Sequence, residues 1–387
     1  MTERLYYHDS YLRDFSAEIV ETADSGRRVY LNRTAFYPSS GGQPFDTGTI
    51  AGARVLEVAD EDGRIVHILD APVPTGAIEA SVDWDRRYDH MQQLTGQHLL
   101  SAVLEELFHI PTLSFHMGAE VSTIELGAPA LTPAQVERAE DRCAEIIRSA
   151  TPVEIGFEDS SEDLGLRKAS ARTGTLRIVA IHGIDRSACG GTHVRTTSEI
   201  GAVFLRKLDK VRGNVRVEFA CGGRALRLAR TDFRTLEEIG ALLSSTPENA
   251  PAVIASLGDR LKAAEKNALR LARELAIREG RELYARTEPE PNGLRRAIQT
   301  GAIDDAMRAR AQAFVSGPKS LFLAFSEDPP SVLLASSADS GHDAGKVVKG
   351  LVTPLGGRGG GNQALAQASV PTLAILESVR SELSLLR

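Results

Sequence analysis

The sequence has few cysteines and no long apolar run, and both features restrict the kind of protein it encodes. Only Cys143, Cys189 and Cys221 are cysteines among the 387 residues. Three cysteines make no disulfide framework, which indicates a reducing compartment and predicts a cytoplasmic location. No segment approaches the roughly 20 consecutive apolar residues of a membrane helix, and the N-terminal residues are charged where a signal peptide is apolar. We therefore expect neither secretion nor membrane insertion.

The sequence also has no excess of positive charge. It contains 45 basic and 52 acidic residues, which gives a net charge of -7. This balance excludes a protein that is polycationic throughout, but it leaves room for a local basic surface that binds nucleic acid. At roughly 100 to 200 residues per domain, the length predicts two or three domains, each able to bury a core.

Hydrophobic patterning divides the chain into four regions and predicts the α+β class. Short β-rich segments separated by Gly, Asp and Pro clusters predict a compact β domain over residues 1–84, either a small meander or a small β-barrel. Helical spacing followed by alternating strands and loops predicts an α+β domain over 85–223. Residues 224–287 are compatible with a helical hairpin connector, and a Glu/Pro linker then precedes a small α/β domain over 294–387.

Within these regions, individual helices and strands have their own sequence signals. Thr132 followed by Pro133 predicts a helix start. Apolar residues spaced three and four apart predict a heptad seam that an antiparallel pair or a short coiled coil would bury: Ile254, Leu257, Leu261, Ala264, Ala268, Leu271 and Leu275. The C-terminal pattern predicts strands at 320–325 and 331–335, a helix at 345–351, and then a glycine-rich loop.

The segment Cys-Gly-Gly-Thr-His at 189–193 is the first candidate functional site. A thiolate and an imidazole four residues apart across a tight turn can point at one metal ion. The alternative is a buried Cys189 beside an exposed loop residue, His193. His90 and His98 also share a face of the preceding helix, and for them a surface feature is the alternative to a metal site.

Two further segments are candidates for ligand contacts. Gly42 and Gln43 follow each other in a loop where glycine allows close backbone approach and the amide offers donors and an acceptor; an ordinary β-turn is the alternative. Residues 206–230 hold eight basic and two acidic residues, which suits a phosphate backbone or, alternatively, a solvated surface. The run 356–361 contains five glycines whose amides could cradle phosphate, although a flexible loop explains it equally well.

Taken together, these pieces resemble one family. The segments FYPSSGGQPFDTG, RRYDHMQQLTGQHLLSA, SFHMGAEVSTIEL and DRSACGGTHVRTTSEIG occur in the order found in alanyl-tRNA editing proteins of the AlaX type and in the editing half of alanyl-tRNA synthetase. The segment GGRGGGNQALAQAS resembles the glycine-rich signature of the DHH-associated domain. The resemblance is to the long form of the editing protein. It implies that residues 85–223 are the editing domain and residues 294–387 the DHH-associated domain.

The family implies an activity and a set of site residues. The activity is hydrolysis of the ester that joins serine or glycine to alanine-specific tRNA. Zinc is held in the family by two helix histidines and the Cys and His of C-x-x-x-H, which correspond here to Leu94, His98, Cys189 and His193. Because leucine cannot coordinate, the expectations are three ligands plus water, recruitment of a donor such as His90 or His116, or weak metal occupancy.

The remaining site residues have roles that follow from this assignment. We expect Gln43 and Gly42 to bind the reacting end, and Thr95 to contact the serine hydroxyl unless it bonds its own helix backbone. The expected RNA contacts are Arg206, Lys207, Lys210, Arg212, Arg216, Gly359, Gly360 and Gly361. Mischarged alanine-specific tRNA is the expected partner, and the C-terminal domain or the connector is a candidate for homodimer contacts.

Three other functions compete with a trans-acting deacylase. A full alanyl-tRNA synthetase needs a class II catalytic domain, for which the residues ahead of Phe36 leave no room. A DHH-type phosphoesterase needs Asp- and His-rich metal motifs, to which Asp89-His90-Met91 is a poor match. A catalytically weak tRNA-binding protein with a degenerate metal site stays open because of Leu94.

Overall fold

The computed structural model describes residues 1–160, 163–170 and 173–386, which form two compact units. The first unit comprises residues 1–238 and the second residues 239–387. Helices and several separate sheets occur together, so the predicted α+β class is confirmed. The predicted domain boundaries within these units stay predictions. Among the described residues, no helix combines the length and the apolar character needed to cross a membrane.

The N-terminal part of the first unit is built from eight strands. They are β1 (Glu3–Arg4), β2 (Asp14–Ala23), β3 (Arg28–Leu31), β4 (Arg33–Thr34), β5 (Gly48–Ile50), β6 (Ala53–Glu61), β7 (Arg64–Leu69) and β8 (Gly76–Val82). Six of them close into a barrel in the order β2-β3-β7-β6-β5-β8, while β1 pairs with β4. Alternation produces the barrel core: Phe15, Ala17 and Ile19 of β2 are buried and the residues between them are exposed.

Helix α1 (Trp84–Phe108) follows the last barrel strand directly. The side chain of Asp83 caps its first turn, and the helix ends at His109, whose backbone is left-handed with a φ of 55°. Most residues from His90 to Leu104 are buried, including several polar side chains. A buried helix with polar residues needs internal hydrogen-bond partners, and those partners define the site described below.

The rest of the first unit packs two sheets and two helices around α1. The elements are β9 (Thr112–Met117), β10 (Ser122–Leu126), α2 (Pro133–Arg148), β11 (Val153–Asp159), β12 (Thr175–Ile181), β13 (Asp185–Ala188), β14 (Val203–Val211), β15 (Asn214–Cys221) and α3 (Gly222–Leu242), whose last residues enter the second unit. The sheets have the orders β14-β15-β10-β9 and β11-β12-β13. Helix α2 starts with the predicted Thr132 cap and Pro133, in a complete capping box with Gln135.

The second unit contains one long helix and a five-stranded sheet. Its elements are α4 (Ala250–Arg286), β16 (Arg295–Thr300), α5 (Asp305–Phe314), β17 (Ser320–Glu327), β18 (Pro330–Ser336), α6 (Ala344–Val352), β19 (Arg358–Gly361), β20 (Leu365–Ser369) and α7 (Leu373–Ser384). The sheet order is β16-β17-β18-β20-β19. The strands predicted at 320–325 and 331–335 and the helix predicted at 345–351 are confirmed.

Residues 358–361 of the glycine-rich segment form a strand, so the prediction of a loop is wrong there and holds only for Gly356 and Gly357. Gly359 and Gly361 pair with Ala368 and Ala366 of β20 at the edge of the sheet. A Cβ on Gly359 would lie 2.5 Å from the Cβ of Ala368, and one on Gly361 would lie 2.7 Å from that of Ala366. Glycine is therefore needed here for close strand packing.

The heptad seam of α4 is exposed in the single chain, so its burial by a paired helix stays a prediction. Ile254, Leu257, Leu261, Leu271 and Leu275 are between 44% and 60% exposed. The buried residues of the C-terminal half of α4 are Ala276 and Gly280, and the backbone of Gly280 approaches α5. Small residues allow this close helix contact, while the larger apolar residues of the seam face away from it.

Candidate metal centre and cavity

Three metal-binding side chains meet in the first unit. His98 projects from α1, and Cys189 and His193 lie in the loop that follows β13. Their ligand atoms all lie within 4.8 Å of one another, and Nε2 of His193 is 3.4 Å from Sγ of Cys189. Among the described residues, this trio is the only such group of three or more His, Cys, Asp or Glu side chains.

The loop from Cys189 to His193 can approach α1 because its middle residue is glycine. A Cβ on Gly191 would lie 2.2 Å from Cδ2 of Leu94 and 2.9 Å from Oε1 of Gln43. The next residue, Thr192, accepts a hydrogen bond on its hydroxyl from Nε2 of Gln43 at 3.0 Å, and its N–H donates to Oε1 of the same amide at 3.1 Å. The predicted loop residue Gln43 therefore holds the Cys189–His193 loop in place.

Each histidine of the trio is oriented through its Nδ1 atom. Nδ1 of His98 lies 3.0 Å from Oδ2 of Asp185, and Oδ1 of Asp185 accepts a 2.7 Å hydrogen bond from Nε of Arg167. Nδ1 of His193 lies 3.0 Å from Oγ1 of Thr95. These contacts leave Nε2 of both rings for a metal ion, which is the arrangement that outer partners impose on metal-binding histidines.

The charges of the trio favour a thiolate. Burial opposes ionisation of Cys189, but His193 and His98 together hold the pKa of its thiol well below the ordinary value. Burial also acts against the charged form of His98, yet Asp185 and Cys189 raise its pKa to about 9. A thiolate is the form of cysteine that binds metals and the form that this environment stabilises.

The donor set fits a metal ion with nitrogen and sulphur ligands. Two imidazoles and one thiolate within 4.8 Å can surround one ion at the bond lengths of roughly 2.0 to 2.3 Å that are usual for zinc. Leu94, at the position of the fourth family ligand, is only 3% exposed and packs beside Gly191. In the described part of the chain, neither His90 nor His116 belongs to this group, so the idea that one of them is recruited as a fourth ligand is wrong for this structure.

A cavity of about 690 Å³ opens beside the trio. His98, Cys189 and Leu94 line it, together with Gly190 and Gly191. Aromatic and basic side chains form much of the remaining wall: Arg4, Tyr6, Tyr7, Tyr37, Phe115, Phe157, Arg167, Lys168 and Arg177. The volume falls in the range of small-molecule and cofactor pockets, so one nucleotide with an attached amino acid is an occupant of suitable size.

The residues predicted to contact the reacting end of the tRNA lie next to the cavity wall but do not form it. Gln43 and Thr95 are buried, and their polar atoms bond Thr192 and His193. Gly42 has a φ of 86°, and a Cβ there would lie 2.8 Å from the carbonyl oxygen of Phe115. Of the residues that the structure describes, Gly41 and Ser40 from this loop line the cavity, and Gly42 and Gln43 do not.

The predicted RNA-binding residues fall into two separate groups. All five basic ones are exposed on the hairpin of β14 and β15 in the first unit: Arg206, Lys207, Lys210, Arg212 and Arg216. Arg206 pairs with Asp232 at 2.7 Å and Lys207 with Asp209 at 2.9 Å. Gly359, Gly360 and Gly361 belong to β19 of the second unit.

Sequence reasoning missed Asp185 and Arg177. Asp185 lies four residues before Cys189, and Arg177 is a basic residue at a buried position of β12. For Asp185 the available signal is its buried position on β13, whose residues alternate between buried and exposed, because a charge there needs a specific partner. For Arg177 the signal is a charge inside the otherwise apolar run of β12, whose residues from Leu176 to Val179 are all buried.

Comparisons with known proteins agree with this site. Residues 176–218 match the family model described as the threonyl and alanyl tRNA synthetase second additional domain. The chain is 32% identical to alanyl-tRNA editing protein AlaX-L of Pyrococcus horikoshii, covering 99% of this chain and 100% of that protein. It is 29% identical to mouse alanyl-tRNA editing protein Aarsd1, covering 96% and 94%. It is also 31% identical to an alanine–tRNA ligase of Pyrobaculum calidifontis, covering 95% of this chain and 42% of the ligase.

The matched domain and the similarity to an alanine–tRNA ligase therefore define a protein related to the editing half of alanyl-tRNA synthetase. Because the match to AlaX-L spans both chains almost completely, the chain belongs to the AlaX-type alanyl-tRNA editing proteins.

Proposed function

We propose that this protein hydrolyses the ester of alanine-specific tRNA that carries serine or glycine. As a member of its family it is a hydrolase that acts on the ester of aminoacyl-tRNA. The observation that carries the proposal is that His98 and Cys189, which form the trio with His193, line a cavity large enough for an aminoacyl nucleotide.

We propose zinc as the metal, held by Nε2 of His98, Sγ of Cys189 and Nε2 of His193. When bound, zinc supplies a Lewis acid that polarises an oxygen. The chain's own residues fix the geometry: Asp185 and Thr95 orient the two imidazoles, and Gln43 holds the loop that carries Cys189 and His193. Such positioning is what an already activated ester requires of its enzyme.

Gly42 and Thr95 support the site indirectly. Gly42 acts through its backbone carbonyl, and Thr95 acts through its contact with His193. Gly42 accepts a 3.0 Å hydrogen bond on its carbonyl from the N–H of Met117 and thereby fixes the loop that contains Gln43. The hydroxyl of Thr95 also accepts a 3.2 Å hydrogen bond from the N–H of Val194. Selectivity for serine over alanine would then come from polar groups of the cavity wall, since a site that pairs a hydroxyl disfavours a substrate without one.

The proposed partners are mischarged alanine-specific tRNA and a second copy of the chain. The exposed basic residues of the β14–β15 hairpin support tRNA binding, because lysine and arginine side chains displace the counterions of phosphates. We also propose Gly359, Gly360 and Gly361 as RNA contacts, because β19 is an exposed edge strand. The exposed apolar seam of α4 supports a contact between copies.

A deacylation assay tests the hydrolase proposal. Purified protein should release serine or glycine from mischarged alanine-specific tRNA faster than it releases alanine. Cys189→Ala should lower the rate by roughly 10³-fold, the scale on which loss of an electrostatic catalytic element acts. Cys143→Ala is the matched control, because Cys143 is a buried core residue outside the cavity lining described here. Equal rates for all three esters would contradict the substrate assignment.

The second candidate is a tRNA-binding protein with little catalysis, and Leu94 is the observation that favours it. A three-ligand site holds zinc less tightly than a four-ligand site and keeps a water in the open position. Metal content after dialysis against a mild chelator should therefore be higher for Leu94→His than for the natural protein. If neither protein retains zinc and neither deacylates tRNA, the binding function replaces the hydrolase.

A further inference from the structure

The side chain of Arg177 is a buried cation with an unused donor beside the candidate metal centre. Arg177 is 7% exposed and lines the cavity. Its Nε donates to the carbonyl oxygen of Tyr7 at 2.9 Å, and Nη1 donates to that of Cys189 at 2.6 Å. Nη2 is buried and has no hydrogen-bond partner in the part of the chain that the structure describes.

Among the described residues, the other arginines of the cavity have carboxylate partners and Arg177 has none. Arg4 pairs with Asp60 at 2.6 Å and Arg167 pairs with Asp185 at 2.7 Å. Across the described ranges, no carboxylate forms an ion pair with Arg177, and the nearby thiolate of Cys189 is the group that the proposed metal ion would bind. A buried charge without a partner is destabilising. A fold that retains such a charge in a ligand-sized cavity has a position where an anion of the ligand can supply the missing partner.

The charged residues that line the cavity indicate which kind of anion it binds. Among the described residues, its lining contains four lysine and arginine side chains (Arg4, Arg167, Lys168 and Arg177) and one carboxylate (Asp60). Guanidinium groups pair with phosphate through charge-assisted hydrogen bonds. A phosphodiester is charged before, during and after ester hydrolysis, whereas a tetrahedral oxyanion exists only briefly. The phosphodiester is therefore the group of the substrate that can compensate the buried charge of Arg177 throughout the reaction.

We propose that Arg177 binds the last internucleotide phosphate of the tRNA through Nη2. The proposal rests on the proposed deacylase function and names the part of the substrate that this residue recognises. Because Nη1 of Arg177 also bonds the carbonyl oxygen of Cys189, one guanidinium links the phosphate to the loop that carries two of the three metal donors. The phosphate contact thereby sets the distance between the terminal nucleotide and the trio.

The experiment compares two substrates in each protein. One is seryl-tRNA with the natural phosphodiester before the terminal adenosine, and the other carries an uncharged methylphosphonate at that linkage. The natural protein should prefer the charged linkage by about 10- to 100-fold in kcat/KM, as expected for a hydrogen bond to a charged group. Arg177→Gln should reduce the preference to about two-fold or less, and Arg177→Lys should restore part of it.

The preference is a ratio within one protein, so it does not depend on how much of a variant is folded. A purely structural role of Arg177 would slow both substrates equally and leave the ratio unchanged, which would overturn the proposal. Arg186→Gln is the matched control, because Arg186 is a partly exposed cation on the adjacent strand that pairs with Glu158 at 2.7 Å. Its preference should equal that of the natural protein, and an equal loss there would also overturn the assignment to Arg177.

Two further outcomes separate this inference from the proposed function. A natural protein that hydrolyses both substrates equally well would overturn the phosphate contact and leave the deacylase intact. A natural protein that hydrolyses neither would overturn the deacylase and the phosphate contact together. A rate defect of Arg177→Gln confined to kcat and identical for the two linkages would assign Arg177 to the reacting ester and contradict the phosphate contact.

Discussion

Helices α1 and α4 differ in the way their sequences relate to their surroundings. Helix α4 has the regular apolar spacing of a packed helix, yet only three of its 37 residues are buried. Helix α1 mixes apolar with polar residues, yet 15 of its 25 residues are buried. Apolar periodicity identifies a helix but does not reveal what covers it, whereas polar residues inside a buried helix reveal internal partners and hence a site.

The largest expected difference concerns the ion pairs of the two helices. Arg87 of α1 and Asp46 are both fully buried, and the guanidinium also donates to the carbonyl oxygen of Ser10 at 2.8 Å. Arg87→Met leaves the carboxylate of Asp46 buried without its partner, so the free energy of unfolding should fall by about 3 to 5 kcal/mol. Denaturant unfolding measures this change.

The control for this prediction is the ion pair of Arg270 with Glu274 on α4. Both side chains are 58% exposed, and exposed pairs four residues apart contribute about 0.3 to 0.5 kcal/mol. Arg270→Met should therefore change stability little. Similar losses for Arg87→Met and Arg270→Met would show that burial does not distinguish the two helices.

The sequence could predict features that depend on neighbouring residues, and it could not predict contacts between residues far apart in the chain. The capping residues Thr132 and Pro133 are local signals, and α2 starts where they place it. His98, Cys189 and His193 became candidates through motifs, and the structure brings them together. Asp185 was missed because its bond to His98 joins residues 87 positions apart, and no local pattern records such a pair.

For the glycine-rich segment, composition predicted a loop where most residues form a strand. Five glycines in six positions predict a loop, because glycine is the residue with the greatest conformational freedom. Residues 358–361 nevertheless form a strand, since the alanines of β20 leave space for it only when Gly359 and Gly361 have no side chain. Packing between strands is a tertiary property, so composition alone could not predict it.

The next largest effect should follow from the partner of His98 on α1. Asp185→Asn weakens the orientation of the imidazole, and loss of such a partner lowers metal affinity by roughly 10- to 100-fold. Competition with a chelating dye measures the affinity without an activity assay. Glu158→Gln is the control, because it removes a partly exposed carboxylate of the same sheet that pairs with Arg186 and not with a histidine of the trio. Unchanged affinity in Asp185→Asn would show that packing alone holds His98.

A smaller effect should come from His90, which is 3% exposed on α1. Burial and the neighbouring Arg86, Arg224 and Arg87 lower the pKa of His90 to about 3. The folded protein keeps this histidine neutral, so its contribution to stability is complete above the unfolded pKa of about 6.5 and decreases as pH falls. Between about pH 7.5 and pH 5.5 the decrease should be about 1.3 kcal/mol.

His90→Gln isolates this contribution. The variant has no imidazole to protonate in the unfolded chain, while the carboxylate titrations are shared with the natural protein and cancel in the difference. Its unfolding free energy should therefore fall about 1.3 kcal/mol less than that of the natural protein over the same interval. Parallel pH profiles for the two proteins would show that His90 accepts a proton in the folded state.

The smallest expected effect is on α4, and it tests whether the exposed seam is free in solution. Leu261 is 60% exposed, and glutamine has a similar helix propensity, so Leu261→Gln should change the free energy of unfolding by less than about 0.5 kcal/mol. Leu100→Ala on α1 is the buried counterpart and should cost about 2 to 5 kcal/mol. If Leu261→Gln instead costs more than about 1 kcal/mol, and the melting temperature of the natural protein rises with concentration, a second copy covers the seam. In that case the two helices would follow the same rule, because α4 would be a buried helix whose partner is another chain.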